Sequence, residues 1–135
     1  MGPDDAAAQH RVSVIPLPYC PSSVPRARRA VLDVLGRWGI LDAEPVAAIE
    51  LMVSELVTNA VVHGRPPVIL ECETRGDDFV IRVYDGSTAP IDVFAECPDA
   101  AAERGRGLAI VKALAKKSRI DVGASGTTAT ASLSL

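Results

Sequence analysis

From Val46 to His63 nothing in the chain interrupts a helix, and then Gly64 and the Pro66-Pro67 pair stop it at once. Val46, Ile49, Val53, Leu56, Val57 and Ala60 recur at helical spacing and give this segment an apolar face. Asp42 is an N-cap candidate, and Pro45 is tolerable in an opening turn. A helix this long with one apolar face needs a partner layer to cover it. The sequence around it supplies that layer as short β-rich runs.

Upstream, Arg11 to Leu17 alternates and is rich in β-branched residues, which predicts a strand ended by Pro16, Pro18 and Pro21. Ala27 to Trp38 then carries Val31, Leu32, Leu35 and Trp38 at helical spacing, and Gly39 closes that helix. Downstream, Val68 to Thr74 and Phe79 to Asp85 read as strands joined by a hairpin turn from Arg75 to Asp78. Gly86 to Arg104 has no clear period and reads as a long loop, the length typical of a lid or binding element. Gly105-Arg106-Gly107 leads into a helix ending in lysines, where cations suit the dipole. Arg119 to Val122 and Thr127 to Leu135 close the chain as two strands around a Gly-Ala-Ser-Gly turn.

Strands in runs with helices grouped between them predict an α+β fold: a two-layer sandwich of a mostly antiparallel sheet of about five strands, with three helices on one face. At 135 residues the chain is read as a single domain over 11–135, after a flexible polar tail over 1–10.

With 14 basic and 17 acidic residues, the chain lacks the cationic excess that phosphate-backbone binding uses, so nucleic acid is disfavoured as a partner. Cys20, Cys72 and Cys97 are an odd set without C-x-x-C spacing, which speaks against a zinc site and a disulfide framework. No signal-peptide pattern and no charge-free apolar run of membrane length is visible, and Ala6 stands where a myristoylation motif wants Ser or Thr. The expected compartment is the cytoplasm, with no membrane partner.

Three local features carry chemistry. Glu55, Asn59 and His63 lie four apart and project from about one side of the long helix, as a pocket wall or as a solvated face. Asp85 ends a strand before Gly86, as a fixed acceptor or as a turn former. Gly105-Arg106-Gly107 before a helix offers an anion site or only a flexible helix start. It is neither a Walker A motif nor a Rossmann fingerprint.

Taken in order, Glu55 to Gly64, Val83-Tyr84-Asp85-Gly86, Glu103 to Leu108 and Gly126-Thr127-Thr128 resemble the four boxes of the GHKL (Bergerat) ATP-binding fold shared by gyrase, MutL and histidine kinases. The short chain is similar to the anti-sigma factor serine kinases of the SpoIIAB and RsbW type. The resemblance covers about residues 11–135. It implies ATP and Mg²⁺ as cofactors, with Asn59 as the metal ligand and Glu55 as the general base. It also implies that Asp85 accepts from the adenine amino group, with Gly86 beside it, and that Thr127 or Thr128 reaches adenine through water. Gly105 and Gly107 would let backbone approach the phosphates, with Arg104, Arg106 and Leu108 in the same box, and His63 would lie near the phosphate end of its helix.

The partners implied are a sigma factor, a STAS-type antagonist phosphorylated on serine, and a second copy in a homodimer. One departure stands out. Glu103 occupies the position where that kinase pattern has an arginine two residues before the first glycine. The second function consistent with the boxes is therefore a non-catalytic ATP-binding regulator that sequesters a partner.

Overall fold

The computed structural model describes residues 10–88 and 98–135; of the side chains at 98–104, Arg104 among them, nothing is described. The expected tail, apart from His10, and residues 89–97 of the expected lid lie outside the described residues.

The elements run β1 (Arg11–Leu17), α1 (Ser23–Arg37), α2 (Ala43–Thr58), a π-helical turn (Asn59–His63), β2 (Val68–Arg75), β3 (Asp78–Asp85), α3 (Pro98–Leu114), β4 (Lys117–Gly123) and β5 (Gly126–Ser134). The five strands form one antiparallel sheet in the order β1-β2-β3-β5-β4, so the fold is the α+β architecture that the patterning predicts.

Strand alternation separates the two faces of the sheet. Leu70 and Cys72 of β2, Phe79, Ile81 and Val83 of β3 and Ala131 of β5 point into the core. There they meet Val31, Val34 and Leu35 of α1 and Ile49, Met52, Val53, Leu56 and Val57 of α2. Trp38, just past α1, stacks at a tilt on Phe79 with ring centroids 6.1 Å apart. The segment Ala43–His63 is long and apolar enough to cross a membrane by length and composition, yet here it is the core helix.

On the opposite face Arg82 reaches Glu71 at 3.0 Å and Glu73 at 2.8 Å, and Arg75 adds a 3.1 Å contact to Glu73. His10, read in sequence as the end of the tail, also pairs with Glu73. Burial opposes ionisation of Glu73, but hydrogen bonds from His10, Arg82 and Arg75 outweigh it and hold the carboxyl at about 2.

Two boundaries differ from the sequence reading. The third helix starts at Pro98 and runs through Gly105 and Gly107, so neither glycine opens it. Ala100, Ala101, Ala102, Glu103 and Arg104 are strong helix formers, enough to carry a helix across two glycines that each cost about 1 kcal/mol. An anion site made by Gly105-Arg106-Gly107 at a helix N-terminus is therefore not what the fold presents. The long helix also changes pitch, because its last turn, Asn59–His63, is π-helical. Such turns cluster where a helix serves a site.

Candidate nucleotide site

α2 positions the first part of the site. Glu55 is half-buried, and Asn59, one turn later, is 9% exposed at the start of the π-helical turn. α3 crosses directly over both. A Cβ at Gly107 would stand 2.7 Å from the Glu55 Oε2 and 3.7 Å from the Asn59 Oδ1. With glycine at 107 the Glu55 carboxylate can lie against the α3 backbone; a methyl there would displace it.

The Asn59 Nδ2 is the one buried side-chain polar atom among the described residues that has no hydrogen-bond partner. Leaving such a group unpaired costs roughly 1–3 kcal/mol, so a fold keeps it where a ligand uses it. Turning the amide over would present its oxygen at the same place, which suits a hard cation as well as a hydrogen-bonding ligand.

The second part lies where β3 ends. Asp85 is 7% exposed, and its Oδ1 accepts from the Ser87 amide at 2.7 Å and from the Arg65 amide at 3.4 Å. The Asp85-Gly86-Ser87 segment is thus an Asx-type turn that aims the carboxylate inward. The Gly86 amide donates to the Arg65 carbonyl at 2.7 Å, tying this turn to the chain after the π-helical segment. A Cβ at Gly64 would stand 2.6 Å from the Asp85 Cγ, so no larger residue fits between the helix end and the carboxylate.

β5 completes this end. Thr127 is opposite Asp85 in the ladder, is buried, and donates from its hydroxyl to the Ser87 carbonyl at 2.5 Å. Thr128 is opposite Tyr84 and points to the other face of the sheet. Of the two candidate threonines, only Thr127 shares a side with Asp85.

The strip Glu55–Asn59–Gly64 therefore runs from Gly107 on α3 to Asp85 on β3. His63 is buried on the same turn. Gly105 and Arg106 are exposed and Leu108 is half-buried. Gly105 and Leu108 line, with Leu56, Val111, Ile120 and Ala129, a cleft of about 530 Å³ between α3 and the β4-β5 edge. No cluster of three or more His, Cys, Asp or Glu side chains suited to a metal occurs among the described residues. A cation held here would take one amide oxygen and complete its shell from substrate oxygens and water, the habit of Mg²⁺.

Sequence reasoning passed over Ser87, Arg65 and the packing role of Gly64. The Asp-Gly-Ser spacing was the readable signal for the first. Nothing local announces that Gly64 and Gly107 touch the two carboxylates, because both contacts are long-range.

The family described as histidine kinase-like ATPase domain matches residues 17–133 of this chain. Among solved structures, the crystal structure of the RsbU and RsbW domains of Rv1364c from Mycobacterium tuberculosis is similar at a TM-score of 0.71 and 26% identity, over 93% of this chain and 32% of that one. The chain thus spans about a third of that relative's length. The family match runs across the strip and the sheet end that carry Glu55, Asn59, Asp85 and Thr127. This chain belongs to the histidine kinase-like ATPase domain family.

Proposed function

We propose that this protein is an ATP-dependent serine kinase that also acts as an anti-sigma factor, with a STAS-type antagonist as its phosphoacceptor. The observation that carries the reading is the convergence of a half-buried glutamate, a buried unpaired asparagine and a glycine-caged aspartate along one strip. Asp85, locked by Ser87 and Arg65, accepts from the exocyclic amino group of adenine, and Thr127 supports the same edge. Asn59 would hold Mg²⁺, and the ion would supply charge screening for the triphosphate.

Glu55 accepts the proton of the attacking serine hydroxyl as its oxygen bonds to the γ-phosphorus, while the bond to the ADP oxygen breaks and ADP leaves. The close approach of Gly107 keeps the Glu55 carboxylate against the α3 backbone. Binding and transfer are thereby assigned to different residues, which makes them separable.

Labelled γ-phosphate transfer to STAS-domain proteins, run beside a nucleotide titration, tests this. Glu55→Gln should bind nucleotide as wild type does and transfer nothing, and Asn59→Ala should lose the Mg²⁺-dependent part of binding. Equal nucleotide affinity in Asn59→Ala and wild type would sink the metal assignment. The second reading, a non-catalytic ATP-binding sequestering protein, is favoured by Glu103 standing in the arginine position. Nucleotide binding with no transfer by wild type to any antagonist would select it.

A further inference from the structure

We propose that Tyr19 is a positioning residue for the Asp85 carboxylate, acting through the single peptide group that joins Gly64 to Arg65. The role rests on the reading above in which Asp85 accepts from the exocyclic amino group of adenine.

Tyr19 lies between β1 and α1, far in sequence from the rest of the site. Its hydroxyl donates to the Gly64 carbonyl at 2.6 Å, across 45 residues of chain. The Arg65 amide, at the other end of the same peptide group, donates to the Asp85 Oδ1 at 3.4 Å. The Gly64-Arg65 peptide bond is trans and planar, so its C=O and N–H point in opposite directions. Whatever fixes the carbonyl therefore fixes the direction of the amide. The bond from Tyr19 also polarises the peptide group and makes its N–H a better donor.

The backbone that carries the phenol is itself held. The Cys20 amide closes a three-residue turn around Tyr19 onto the Pro18 carbonyl at 2.9 Å. The same carbonyl accepts from the Ser23 hydroxyl at 2.5 Å, and Ser23 is fully buried at the start of α1. Tyr19 is 42% exposed, so its hydroxyl is not needed to complete the core.

On the receiving side the fit is close. The Asp85 carboxylate packs on the Gly64 Cα so tightly that a Cβ there would stand 2.6 Å from its Cγ. The Gly86 amide, bonded to the Arg65 carbonyl at 2.7 Å, ties the next peptide group to the same turn. A tilt of the Gly64-Arg65 group takes the Arg65 donor off Oδ1. The plane of the carboxylate is then less defined where the adenine edge must meet it.

Titrations of the full chain with ATP and with the triphosphate of purine riboside, which lacks the exocyclic amino group, test this role. Wild type should prefer ATP. Tyr19→Phe should lose about 2- to 10-fold in ATP affinity, the worth of one hydrogen bond, and nothing with the amino-free nucleotide. In an Asp85→Asn background the same exchange should change neither affinity. Without nucleotide, the Arg65 amide proton should exchange with solvent faster in Tyr19→Phe, while circular dichroism and melting temperature stay near those of wild type. An equal loss with both nucleotides, or no loss with either, overturns the positioning role. So does an unchanged Arg65 exchange rate, or a further loss of ATP affinity in the Asp85→Asn background. A wild type that binds neither nucleotide, or both equally, removes adenine reading by Asp85 itself, and the role of Tyr19 with it.

Discussion

The β2-β3 ladder and the α3-β4 pair sit in the same domain and obey different rules. In β2 and β3 nearly every residue that faces α1 and α2 is fully buried, and even the far face holds a carboxylate gripped by two arginines and His10. In β4 no residue is buried, and Val111 is the one fully buried hydrophobic of α3 among the described residues. The first region carries the free energy of folding. The second carries glycines, cations and open edges, which suit contact with something else. The strip Glu55–Asn59–Gly64 lies on the seam, so its backbone is anchored by the rigid half while Gly107 reaches it from the looser half.

The sharpest way to break this contrast is to remove bulk on either side of it. Phe79→Ala should cost about 3–5 kcal/mol in urea denaturation, because a fully buried ring stacked on Trp38 leaves a cavity. Ile120→Ala on β4 should cost under about 1 kcal/mol, since its transfer from water is only partial. Equal costs would show that β4 is not the peripheral element described.

Next in size is the charge at the end of β3. Asp85→Asn keeps the shape and loses the ionised acceptor, a change of about 1.5–3 kcal/mol that should weaken nucleotide binding about 10- to 100-fold in a fluorescence titration. Stability should move less, because the two backbone donors still find an oxygen.

Smaller again is Gly105→Ala. A Cβ there meets nothing within 4 Å, so the exchange should stabilise the chain by up to about 1 kcal/mol of helix propensity. The same exchange at Gly107 drives a methyl into the Glu55 carboxylate, so its thermal melt should show less gain and its phosphoryl transfer should fall. A melt in which both alanines gain equally would remove the close approach from the account.

The pH dependence of the open face gives the last test. The folded Glu73 carboxyl titrates at about 2 against its ordinary 4.5, so its contribution is complete above pH 4.5 and is lost as pH falls toward 2. Glu73→Gln should flatten acid denaturation in that window, while Cys72, pushed up to about 12 by burial with Glu71 adding to it, stays unreactive to alkylation in the folded chain.

The parts of this molecule that were readable in advance are those written in local pattern. Val68 to Thr74 and Phe79 to Asp85 alternate because each strand has one face in the core, and the turn between them falls where the pattern breaks. The start of α3 was not readable, because Gly105 and Gly107 weigh locally against a helix that Ala100 to Arg104 and packing on α2 carry through. Thr127 and Thr128 could not be told apart by chemistry. The ladder with β3 assigned one to each face.

By itself the sequence determined the helix from Val46 to His63, the hairpin, the order of the elements and the residue types at the site, because periodicity and breakers act over a few residues. Only the tertiary structure decided that Gly107 touches Glu55, that Gly64 caps Asp85, that Asn59 is left with an unpaired amide and that β4 has no cover. Those facts join residues far apart in the chain. Their energies come from close packing and burial, which no single segment contains.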